Sequence, residues 1–138
     1  REALANGAGL ERFRRVVELQ GGNPRVCDDP TLLPQARETV LVRSERDGRL
    51  ARLAARAIGH AGMLLGAGRE TVDGAIDPSV GFVFHKKVGD PVAVGEPIVT
   101  VHAGTASRRE EALARLREAI LVAAEAPARG PLILDILS

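Results

Sequence analysis

A chain of 138 residues, 45% of them apolar, is long enough for one compact unit or two small lobes and to bury well over half of its unfolded surface. Its 19 Lys and Arg against 18 Asp and Glu leave a net charge of +1, and its only aromatics are Phe13, Phe82 and Phe84, which excludes a charged or base-stacking platform for nucleic acid. No apolar run reaches bilayer-spanning length, no signal peptide follows Arg1, and the lone Cys27 excludes an internal disulfide, so the expectation is a soluble cytoplasmic protein with no membrane partner.

Arg1 is not an initiator Met and the first residues already read as helix, which leads to the expectation of a piece of a longer chain. Over residues 2–20, Leu10, Phe13, Val16, Val17 and Gln20 recur at helical spacing, with Glu11, Arg12, Arg14 and Arg15 off that face. Gly21-Gly22-Asn23-Pro24 stops this helix. Residues 25–36 hold Asp28-Asp29, Pro30 and Pro34 and read as a linker with at most one helical turn at residues 31–33, which places a lobe boundary there. The β-branched run at residues 38–43, the turn signal Arg46-Asp47-Gly48 and the alternation over residues 49–53 predict a hairpin.

Residues 54–65 are rich in Ala and Leu and contain Gly59 and Gly62, a pattern for a helix packed close on a sheet and closed by Gly66-Ala67-Gly68. Residues 81–84, 91–94 and 97–102 are short strand candidates separated by turns at Val88-Gly89-Asp90 and Gly95-Glu96. Ser107 and Glu110 form a capping-box pattern for a helix to about residue 124, with Leu113, Leu116, Ile120 and Ala124 on one face. Pro127 and Gly130-Pro131 end it, and residues 132–137 predict a last strand. Helix, linker, then strands with interposed helices make the class α+β.

Residues 88–98, V-G-D-P-V-A-V-G-E-P-I, set glycines at tight turns and valines between them toward a narrow interior, and so resemble half of a biotinyl/lipoyl-type barrel-sandwich. In such carriers the cofactor is attached to a lysine in the hairpin after the strand that corresponds to residues 97–102. Here that strand runs into His102-Ala103-Gly104-Thr105-Ala106-Ser107, and the only lysines, Lys86 and Lys87, precede the motif. The expectation is a structural barrel with no covalent cofactor.

Among residues with chemistry to offer, Gly66, Gly68 and Arg69 read in two ways, as an anion nest beside a guanidinium or as a plain helix C-cap. His60, His85 and His102 lack metal-ligand spacing and have no neighbouring Cys, so no metal site is expected. Asp73 and Asp77 bracket a Gly-containing loop, where pairing with Arg69 or capping a turn are the readings placed ahead of a catalytic carboxylate pair. Lys86-Lys87 reads as a solvated charge pair, and Cys27 as a small residue in the linker.

Taken in order, residues 9–24 (G-L-E-R-F-R-R-V-V-E-L-Q-G-G-N-P), 65–77 (L-G-A-G-R-E-T-V-D-G-A-I-D) and 78–101 (P-S-V-G-F-V-F-H-K-K-V-G-D-P-V-A-V-G-E-P-I-V-T-V) resemble the C-terminal third of bacterial thymidine and pyrimidine-nucleoside phosphorylases. The resemblance implies that residues 1–24 are the terminal helix of the central domain, residues 25–36 a linker, and residues 37–138 a C-terminal α/β domain of hammerhead-like form. It also implies a homodimeric parent that uses inorganic phosphate to split pyrimidine nucleosides in domains outside this sequence. The family's phosphate loop and its S-G-R-x-L-x-x-T-G-G-T signature do not occur in residues 1–138, so no catalytic or substrate-binding residue is carried over. The rival expectation is a free-standing binding module built on the lysine-less barrel.

Overall fold

The computed structural model describes residues 1–69, 71–104, 108–128, 130 and 133. Chain contacts divide it into two compact units, residues 1–35 and residues 36–138.

In the first unit, the single helix expected over residues 2–20 is two helices, α1 (Glu2–Ala5) and α2 (Ala8–Leu19). The break is local chemistry: Asn6 Oδ1 accepts the Ala8 N–H at 3.0 Å, and Gly7 takes a left-handed φ of 81°. At the far end Gly21 is also left-handed, its N–H donating to Glu18 O and the Gly22 N–H to Val17 O, a Schellman cap. Residues 25–36 hold more structure than one turn. Two 3-10 turns form, Pro24–Cys27 and Pro30–Leu32, each begun by a side chain (Asn23, Asp29) that accepts an N–H two residues on, with Pro at the start.

The Arg14 guanidinium reaches Asp28 with two bonds of 2.6 and 2.8 Å, which raises its own pKa and holds the Asp28 carboxyl below the usual range. Even so, no residue in this unit is buried, and Leu10, Phe13 and Val16 are 46%, 57% and 46% exposed.

Among the described residues, the second unit holds two three-stranded antiparallel sheets and two helices. Strands β1 (Glu38–Arg43), β5 (Pro97–Ala103) and β3 (Gly81–Phe84) form one sheet in the order β1-β5-β3. Strands β4 (Pro91–Val92), β2 (Gly48–Leu53) and β6 (Ile120–Ala123) form the other in the order β4-β2-β6. Helices α3 (Ala55–Leu65) and α4 (Arg109–Ala119) pack together over the first sheet. The inward residues of β5, Val99, Val101 and Ala103, meet Ala61, Leu64 and Leu65 of α3 and Ala112, Leu113 and Leu116 of α4 in the larger core. Period 2 on the strand and period 3.6 on the helices supply its two sides. The smaller core is Leu50, Val92 and Ile98, and Ile120 packs against both clusters.

Two sequence expectations change here. The hairpin of residues 38–43 with 49–53 does not form, because β1 pairs with β5 while β2 pairs with β4 and β6. Ser44 explains the parting: its N–H donates to Glu96 O, and its carbonyl accepts the Gly95 N–H, so the chain stays with the first sheet beyond Arg43. Val42 then fills the larger core and Leu50 the smaller.

The helix expected to reach residue 124 stops at Ala119, and Ile120–Ala123 becomes β6 against β2. Branched Ile120 and Val122 favour a strand, and the edge offered by β2 outweighs the helical period. Ser107 of the capping-box pattern and the last strand at residues 132–137 lie outside the described residues, save for Ile133, which has no regular structure. The half-barrel motif of residues 88–98 bridges the two sheets, with β4 in the second and the start of β5 in the first.

Candidate functional site

The glycine-rich end of α3 was the strongest chemical candidate in the sequence, and its geometry is that of a cap. Gly66 is left-handed at φ 101°, its N–H donates to Met63 O, and the Ala67 N–H donates to Gly62 O, both at 2.9 Å. Those two amides therefore face the helix. Gly68 lies so close to α3 that a Cβ there would stand 2.9 Å from Met63 Cγ. Arg69 is exposed, and among the described residues its guanidinium reaches only Val72 O, at 3.5 Å.

Asp77 closes the loop that follows. Its N–H donates to Gly66 O at 2.9 Å, and its Oδ1 accepts both the N–H and the hydroxyl of Ser79, at 2.9 and 2.6 Å. The Ser79 hydroxyl, then its amide, hold the Asp77 carboxyl below the usual carboxylate range. Of the roles open to this residue, the structure gives it the turn cap. Asp73 is exposed and makes no hydrogen bond or ion pair among the described residues.

The two glycine turns of the barrel motif are built alike. In residues 87–90 the Asp90 N–H donates to Lys87 O and the Asp90 carboxylate accepts the Lys87 N–H; in residues 93–96 Glu96 and Ala93 repeat both bonds. Gly89 and Gly95, at φ 98° and 78°, supply the positive φ a type II turn needs at its third residue. Lys86 is not half of a solvated pair. Its ammonium binds the Glu96 carboxylate at 2.5 Å and Pro91 O at 3.0 Å, tying one turn to the other and holding Glu96 below the ordinary carboxylate range. Lys87 is exposed.

The histidines are separate. His60 lies exposed on α3, His102 is half-buried on β5, and the His85 Nε2 sits 2.6 Å from Thr100 Oγ1. Among the described residues no group of three or more His, Cys, Asp or Glu could hold a metal ion. No described helix is long and apolar enough to cross a membrane. One feature has no linear signature: a cavity of about 340 Å³ where residues 41–46, leaving β1, face residues 117–122 at the junction of α4 and β6.

Among the described residues this arrangement is rich in turns and caps, and the candidate residues do not converge on one another. The family model for the pyrimidine nucleoside phosphorylase C-terminal domain matches residues 50–123, from the middle of β2 to the end of β6. The pyrimidine-nucleoside phosphorylase of Bacillus subtilis (strain 168) is 42% identical over 127 residues, which cover 92% of this chain and 29% of that protein. That of Geobacillus stearothermophilus is 38% identical over 138 residues, 99% of this chain and 31% of the relative. The chain therefore spans less than a third of the length of these relatives. On the family model and the identities together, the chain belongs to the pyrimidine nucleoside phosphorylase C-terminal domain family.

Proposed function

We propose that residues 1–138 are the C-terminal part of a cytoplasmic, homodimeric enzyme that splits pyrimidine nucleosides with inorganic phosphate. A phosphate oxygen bonds to the anomeric carbon of thymidine, deoxyuridine or uridine, the glycosidic C–N bond breaks, and its electron pair leaves with the base, which takes up a proton. The products are the free pyrimidine and a pentose 1-phosphate. The observation that carries this reading is the match of 92% of the chain to a protein named pyrimidine-nucleoside phosphorylase, of which it covers 29%.

In this reading the chain supplies no catalytic group and no cofactor site. Its second unit is a rigid body that gives the central domain a packing surface and limits how far a substrate cleft closes. Residues 1–24 are the terminal helical segment of that central domain, and residues 25–36 the link to the C-terminal domain. The exposed Leu10, Phe13 and Val16 support this, since an apolar helical stripe that nothing in its own unit covers is a surface built to be covered. Any anion contact at the α3 cap runs through Arg69 and the Gly68 amide, because the Gly66 amide is already bonded.

The test is phosphate-dependent release of thymine from thymidine, and of uracil from uridine, by the complete gene product and by this chain side by side. Activity in the complete product and none in the chain is the expected result. Activity in the chain overturns the non-catalytic assignment. Silence in both overturns the phosphorylase reading and leaves a binding module.

A further inference from the structure

The 340 Å³ cavity is of ligand size and lies where the two sheets of the second unit part. Each wall ends in an edge: β1 pairs only with β5, and β6 only with β2, among the described residues. The floor is Ile98, 2% exposed. On opposite sides Leu41 and Leu121 are left 44% and 45% exposed, although both lie in regular strands.

The rim is basic. Arg43, Arg46 and Arg117 stand against one carboxylate, Glu45. Arg43 donates through Nη1 to Gly95 O at 2.9 Å. Arg46 and Arg117 have no side-chain hydrogen bond or ion pair among the described residues, whereas Arg109 binds Glu38 and Glu110.

The wall that carries Arg46 is fixed in advance. The register of β1 on β5 shifts between Val42 and Arg43, within the stretch that lines the cavity. Ser44, 5% exposed, then donates its hydroxyl to Arg46 O at 2.6 Å while its backbone is bonded to Gly95 and Glu96. The main chain under Arg46 is therefore held from two sides.

We infer that this cleft binds a small organic anion, its oxyanion head held by Arg46 and Arg117 and its apolar or aromatic body lying between Leu41 and Leu121. The planar guanidinium fork matches a carboxylate or a phosphate monoester. A bare anion leaves the two leucines wet, and a wholly apolar ligand desolvates cations without pairing them, so the lining selects a ligand with both parts.

The test is a titration of the full 138-residue chain, followed by NMR of backbone amides, with phenyl phosphate, benzoate and inorganic phosphate as probes. Saturable shifts at residues 44–46 and 120–122 are expected with one or both aromatic anions, the tighter one naming the head group. Arg46→Gln together with Arg117→Gln should weaken binding at least about tenfold. Leu121→Gln should weaken the aromatic anions and spare inorganic phosphate.

No saturable shift up to about 10 mM overturns the site, and so does a double variant that binds like the native chain. Inorganic phosphate as tight as phenyl phosphate overturns the apolar half of the inference. Should the double variant lose its fold, salt decides on the native chain: affinity for the aromatic anions must fall as ionic strength rises, and indifference to salt overturns the guanidinium contacts.

Discussion

Residues 1–35 hold two helices, two 3-10 turns and a two-bond ion pair, yet bury nothing, while residues 36–138 place Leu50, Val99, Val101, Ala103 and Leu116 at 0% exposure. Both regions end helices with the same left-handed glycine cap, at Gly21 and at Gly66. Local backbone chemistry is therefore equally well specified in the two, and what separates them is whether an apolar face finds a partner within its own unit. A unit of 35 residues, without a disulfide because Cys27 is free, falls below the size at which a chain closes its own core. Its apolar residues stay exposed, and those of the second unit form a core.

The largest effect expected from this difference is at Leu116, which α4 presents to α3 and β5 at 0% exposure. Leu116→Ala should lower the unfolding free energy of the chain by about 2–5 kcal/mol, read by urea melting of the second unit. A loss well under that range would mean that the two helices collapse onto the cavity and that the core is looser than its burial indicates.

Next in size is Gly48, where β2 begins beside β6 with φ 154° and where a Cβ would stand 2.4 Å from Ala123 O. The obstacle is backbone, which cannot swing away like a side chain. Gly48→Ala should cost about 1–3 kcal/mol and loosen residues 120–123 selectively, visible as faster amide exchange there than in β5. Equal exchange in the two strands would show that the second sheet does not open by itself.

Acid should act more gently, and on both units. Asp28, Asp77 and Glu96 all have folded pKa values below their ordinary ones, so each contributes stability that is complete above the ordinary carboxylate range and is lost as pH falls through the lower folded value. The melting temperature should therefore be level from neutrality to about pH 5 and fall below about pH 4. Asp77→Asn and Glu96→Gln should flatten the decline; an unchanged slope in both would remove these turns from the account of stability.

Much of this was legible in the sequence. Composition marked α3, a short run after a turn signal marked β5, periodicity marked the first part of α4, and the glycines marked the helix ends and the two tight turns, because these depend on a few adjacent residues. Partnership was not legible. That residues 38–43 and 49–53 enter different sheets rests on Ser44 bonding across to Gly95 and Glu96, and the conversion of Ile120–Ala123 to strand rests on an edge offered by β2. The candidate site shows the same divide. Gly66-Ala67-Gly68 reads as a cap before it reads as a nest, and the bonds from Gly66 and Ala67 back into α3 bear the cap out. Arg46 and Arg117 share no local pattern at all; the cleft that joins them exists only once the sheets are assembled.

The smallest effect is the most telling about the first unit. Phe13 is 57% exposed and sits mid-stripe between Leu10 and Val16, so Phe13→Ala in the 138-residue chain should change the melting free energy by no more than about 0.5 kcal/mol. In the complete enzyme of our proposal the same stripe is covered, and the same substitution should cost about 3–5 kcal/mol, because there it empties a filled site. The ratio between the two measurements, made by thermal melting of both proteins with and without the change, states how much of the first unit's folding information lies outside it. A loss in the short chain as large as that of Leu116→Ala would mean that residues 1–35 have a core of their own after all, and the distinction between interface and core would fall with it.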